Sequence, residues 1–86
     1  MLRTLREAIN IEGLIVTTNF MVGDKVSWNS EAGRVRGTIT RIHTREFVRE
    51  GYTHHASSDV PQYEIKSNLT DHIAFHKGSA LTIVRG

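Results

Sequence analysis

The chain has 86 residues, with 11 Lys and Arg against 9 Asp and Glu, and no cysteine. That length holds one domain with a modest core, and the missing cysteines exclude disulfides and thiolate zinc sites. A net charge of +2 argues against a uniformly basic nucleic-acid binder, and no apolar run approaches the roughly 18 residues of a membrane span.

The first 20 residues differ in character from the rest. Leu2, Leu5, Ile9 and Leu14 recur at three- to five-residue spacing, which predicts a short helix over residues 4–11, ended by Gly13. Glu7 and Glu12 interrupt the approach to Leu14-Ile15-Val16, and no small-residue cleavage site follows, so a signal peptide is not expected and the predicted location is cytoplasmic. Residues 14–18 turn β-like. Residues 1–20 therefore read as an N-terminal arm, and residues 21–86 as the domain. Met21 would be an alternative start.

From Val22 onward, short strands alternate with turns. Val22, Val26 and Trp28 share a parity and one face of a first strand. Residues 29–33 make a turn. Residues 34–43 form a longer strand in which Val35 and Ile39 share a face and Ile42 has the opposite parity. A bulge or strong bend between Ile39 and Ile42 would reconcile them, with Gly37 as a bend point. Residues 44–61 are polar, with a short strand around Phe47 and a mobile loop after Tyr52. Residues 62–67 form a strand with Tyr63 and Ile65 on one face. After a turn at 68–71, residues 72–77 form a strand with Ile73 and Phe75 inward and His72, Ala74 and His76 outward. Lys77-Gly78-Ser79 makes a tight turn before a last strand over 80–84. Five such strands suit a small closed barrel, which leaves no exposed edge.

Four blocks carry a family likeness. They are Val22-Gly23-Asp24-Lys25-Val26-Ser27-Trp28 with the following Asn29 to Gly33, then Gly51-Tyr52-Thr53-His54-His55-Ala56-Ser57, then Gln62-Tyr63-Glu64-Ile65-Lys66-Ser67, then the stretch 70–81 with Asp71-His72-Ile73-Ala74-Phe75-His76. In this order they closely resemble the hypervirulence-associated Tudor-domain family, over about residues 20–84. The resemblance implies a mostly β fold, a five-stranded SH3-like (Tudor-like) barrel. It carries over no catalytic residue, and residues 1–20 fall outside it.

Tudor domains that read methylated lysine or arginine use an aromatic cage. With Tyr63 and Phe75 needed in the core and Trp28 partly so, only Tyr52 and Phe47 remain as walls, too few for a cage. The five histidines do not assemble a metal site either. His54 and His55 point to opposite faces of an extended segment, and His72 and His76 lie about 13 Å apart along a strand. A site across loops, from His54 or His55 with His72 and Asp71, is geometrically open but less favoured than surface histidines; His43 reads as a strand-end residue. Ser57, Ser58 and Asp59 near the histidines show no nucleophile elbow or oxyanion-hole signature. No enzyme activity, metal or cofactor is expected.

The leading expectation is a binding module whose ligand surface combines Trp28, Asn29, Tyr52, His54, His55, Asp71 and His72. Its partner would be a protein or peptide, or a second copy joined through the Leu14-Ile15-Val16 edge as a homodimer. The alternative is nucleic acid, bound by Arg34, Arg36, Arg41, Arg45 and Arg49 with Tyr52 stacking on a base. A metal-dependent enzyme is a distant third.

Overall fold

The computed structural model describes residues 6–85, and these form nine short strands and one 3₁₀ turn. β1 (Arg6–Ile9) and β2 (Ile15–Thr18) make an antiparallel hairpin. β3 (Lys25–Ser30), β4 (Gly33–His43), β7 (Gln62–Ser67), β8 (Ile73–Lys77) and β9 (Thr82–Ile83) form the main sheet, in the order β8-β7-β4-β3-β9. β5 (Phe47–Arg49) and β6 (Tyr52–His54) make a second hairpin. The 3₁₀ turn spans Gly78–Ala80. Among the described residues no helix is long and apolar enough to cross a membrane.

The expected helix is corrected. Arg6–Ile9 is strand β1, held in register with β2 from Arg6 opposite Thr18 to Ile9 opposite Ile15. Its period is two, with Ala8 buried between exposed Glu7 and Ile9. Residues 4 and 5 of the predicted helix lie outside the described residues. Gly13, at φ 81°, turns a hairpin rather than ending a helix. Asn10 supports that turn: its Oδ1 accepts from the amides of Glu12 and Leu14.

The hairpin packs onto the main sheet. Ala8 and Phe20 belong to the core cluster, and Phe20 meets Tyr63 edge-on at 5.3 Å between ring centroids. The hydroxyls of Thr18 and Tyr63 are hydrogen-bonded. Arg6 donates to Asp24 at 2.6 Å, and the amide of Ile11 donates to the carbonyl of Ile42 at 3.1 Å.

The expected bulge is present. In β4 the pairing with β7 shifts between Ile39 and Arg41, so Ile39 opposite Ile65 and Ile42 opposite Tyr63 both face the core. Val22, expected on the first strand, lies exposed before β3 begins. The parity expected for β8 is reversed. Ala74 stands opposite Ile65 and His76 opposite Tyr63, on the core side, while Ile73 and Phe75 stand opposite Lys66 and Glu64 on the other face. Alternation misleads here because both faces of β8 are covered, and Ile73 to His76 are all half-buried.

Flat, a sheet would hold β3 and β8 about 14 Å apart across three strand spacings. The rings of Trp28 and His76 nevertheless lie 5.3 Å apart, so the sheet coils strongly. Among the described residues no ladder joins β8 to β3 or β9, and the coil stays open there. Coiling depends on Gly37. A Cβ at this position would meet the carbonyl oxygen of Lys66 at 2.6 Å, Cγ2 of Ile65 at 2.7 Å and Cη2 of Trp28 at 3.1 Å. Gly37→Ala should therefore lower stability by about 1–3 kcal/mol, as overpacked cores do. A chemical denaturation midpoint equal to that of the parent chain would show that the contact is slack.

Candidate functional site

Two depressions flank β8, and they divide the residues singled out from sequence. The first has a volume of about 570 Å³ and lies between β8 and the β3–β4 end of the sheet. Trp28, Asn29 and His72 line it, with Val35, Leu69 and residues 73–76. Trp28 is both core and wall: it is 4% exposed, yet it borders the space. Asn29 sits at the rim, where its Oδ1 accepts from Arg34 at 3.1 Å. The amide of His72 donates to Thr70 Oγ1 at 3.1 Å, which shapes the turn before β8. Leu69, in that turn, is 85% exposed. Asp71 occupies the same turn but does not line the depression.

The second depression, about 510 Å³, is lined by Tyr52, His54 and His55 with Gln62, Lys77 and Ser79. Phe75 and His76 border both spaces. The seven expected residues are thus split by β8 rather than gathered at one point.

The β5–β6 hairpin explains the second group. Glu50 and Gly51 at its tip both have positive φ, 55° and 76°, as a two-residue turn between twisted strands requires. The hairpin lays Phe47 over His43 at 3.9 Å, and His54 over Phe47 at 4.8 Å. Tyr52 meets His54 edge-on at 4.9 Å. The space between Tyr52 and Phe47, the two candidate cage walls, is therefore filled by an imidazole.

Beneath this stack lies a polar pair that sequence reading missed. Glu64 and His43 are both buried, and Oε1 of Glu64 is 2.9 Å from Nε2 of His43. Arg49 reaches the same oxygen at 3.4 Å, with its guanidinium 5.0 Å from the Phe75 centroid. Nδ1 of His43 has no hydrogen-bond partner among the described residues. Glu64 followed the outward parity of its strand, so only the covering hairpin reveals it as buried. The Xaa-Gly pair at Glu50-Gly51 was the available signal for that hairpin.

The arginines of the basic cluster separate. Arg34, Arg36 and Arg41 lie on β4. Arg45 pairs with Glu12 of the first hairpin at 2.6 Å, and Arg49 with Glu64. His55 lies 3.6 Å from Glu46. No three His, Asp or Glu side chains among the described residues gather where they could hold a metal ion.

Burial lowers the pKa of His76 below the ordinary histidine value. The unfolded chain then binds a proton more readily than the folded one. Its contribution to stability is full above about pH 6.5 and is lost as pH falls through the lowered value. Acidification from pH 7.5 to 5 should destabilise the parent chain more than His76→Gln, by denaturation midpoints at each pH. Parallel curves would show that His76 does not titrate in this way.

A family model described as "Hypervirulence associated proteins TUDOR domain" matches residues 23–81. The matched segment contains the main sheet up to the 3₁₀ turn, the β5–β6 hairpin and both depressions. No curated protein matches the chain, and no solved structure does.

Proposed function

The chain belongs to the hypervirulence-associated Tudor-domain family, and from that premise we propose that it is a small non-catalytic interaction module whose partner is an extended protein segment. Tudor domains are generally binding modules rather than enzymes. The observation that carries the reading is an edge strand beside an apolar space. Among the described residues β8 has a strand partner on one side only, β7. Its residues 73–76 line the 570 Å³ depression with Trp28 and Val35. A peptide added along β8 would pair with its free backbone groups and direct alternate side chains toward that space. The volume of that space falls within the roughly 300–1,000 Å³ range of ligand-binding clefts.

In this reading the coiled sheet is an SH3-like barrel left open at β8. Asn29 and His72 supply polar groups at the rim, and Asp71 adds charge in the adjoining turn. Tyr52, His54 and His55 extend the contact past the far side of Phe75. A second copy of the chain is the other source of a strand, since Leu14 and Ile15 are 59% and 67% exposed at the β1–β2 hairpin.

Panning random dodecapeptides on the immobilised full chain tests the proposal. The expected result is enrichment of peptides with alternating apolar residues. Their binding should fall at least tenfold in Leu69→Asp, a rim change that leaves far-UV circular dichroism unaltered. No enrichment, or peptides indifferent to Leu69→Asp, would count against a peptide site at β8.

A further inference from the structure

The face of the sheet opposite the core carries a group of cations that strand register assembles. Thr38 on β4 stands opposite Lys25 on β3 and Lys66 on β7. Arg36 stands opposite Ser27, and Arg34 opposite Asn29. Across the bulge, Arg41 stands opposite Glu64. Paired residues share a face, and so do residues two apart. Lys25, Arg34, Arg36, Arg41 and Lys66 therefore project from one side, and all five are exposed. Lys25 and Lys66 sit about 10 Å apart across two strand spacings, with Arg36 about 7 Å along the middle strand.

Acidic residues are nearly missing from this face. Among the described residues only Glu64 belongs to it by register; it is buried, and His43 and Arg49 already hold it. Glu31 and Asp71 lie in the turns beyond the sheet. Lys25, Arg36, Arg41 and Lys66 form no ion pair among the described residues; Lys25 donates only to Thr38 Oγ1, at 3.4 Å. Edge protection does not account for the arrangement, because β3, β4 and β7 are all interior strands. Nor does solubility, which is served by interspersed signs. Like charges gathered on one sheet face cost stability. The chain has nearly balanced charge overall, yet it concentrates one sign here.

We propose that this face binds the phosphodiester backbone of nucleic acid, with Lys25, Arg36 and Lys66 at its centre and Arg34 and Arg41 at its ends. A line of regularly spaced anions is the ligand that a single-sign face of this kind complements. Recognition is sequence-independent, because the face offers cations to phosphates and no groove-reading element. The site is separate from the β8 depression and does not rest on the peptide reading. It also differs from a simple run of arginines in the sequence: Arg45 and Arg49 are engaged elsewhere, and two lysines distant in sequence take their place.

Fluorescence polarisation tests it, with the full chain and labelled 20-nucleotide DNA and RNA probes, single- and double-stranded, from 50 to 200 mM salt. Binding should weaken linearly in log–log form as salt rises. Arg36→Gln/Lys66→Gln should lower affinity at least tenfold at 50 mM salt. It should also reduce the salt slope by about 1.4 for single strands or about 1.8 for duplex. Arg45→Gln should leave both unchanged. All three are surface changes, and circular dichroism verifies that each variant is folded. No binding to any probe at 50 mM salt would overturn the proposal. So would equal weakening by Arg45→Gln, or binding to heparin without binding to any oligonucleotide.

Discussion

A sheet of five short strands must cover its own apolar face, and the contact that lets it do so is Trp28 against Gly37. The indole lies across Gly37 of β4, a position with no side chain. From there it reaches His76 on β8. A larger residue at position 37 would strike the backbone of β7 as well as the indole, so the close approach of three strands rests on one missing methyl group. The bulge after Ile39 acts with it, returning Ile42 to the core side once the strand has bent. Ile39, Ile42, Ile65 and Val26 are fully buried as a result.

Polar groups seal the ends of this core. The Thr18–Tyr63 hydrogen bond joins the first hairpin to β7. On the other face, His43, Glu64 and Arg49 form a network under the Phe47–His54 stack. Loss of one member of such a buried pair strands the other, which makes the pair costly to alter singly. The β5–β6 hairpin is the cover beneath which the His43–Glu64 pair is buried. It also leaves the opposite half of the same sheet face bare, where the lysines and arginines stand.

Much of the fold was legible because it follows from local rules. The Ile39/Ile42 parity conflict called for a bulge or a strong bend, and a bulge is there. Tyr63 and Ile65 alternate with the pleat and are buried. The failures arose where tertiary cover overrides local pattern. β1 read as a helix because the spacing of Leu5 and Ile9 fits a helical turn, whereas Ala8 is what the core takes from that segment. β8 read inside out because apolar Ile73 and Phe75 look inward, while the second hairpin covers Phe75 on the other face through Phe47 and His54. Glu64 and His43 looked like ordinary strand residues for the same reason. Trp28, Asn29 and His72 share one depression, and no local signal showed that β8 would stand between them and Tyr52, His54 and His55. Lys25 and Lys66 could not be joined to Arg36 without the register of three strands.

The two proposed surfaces use different products of this one coil. Its open edge at β8 offers backbone groups beside an apolar hollow, and its outer face offers unpaired cations. The cation face follows from strand register, whereas the hollow requires β3 to curl toward β8. A two-dimensional NOE spectrum of the full chain measures that directly. The indole protons of Trp28 should show cross-peaks to the Gly37 α-protons and to the His76 ring, since Trp28 and His76 are 5.3 Å apart between centroids. A well-dispersed spectrum lacking both sets of cross-peaks would contradict the coiled sheet, and with it the hollow beside β8.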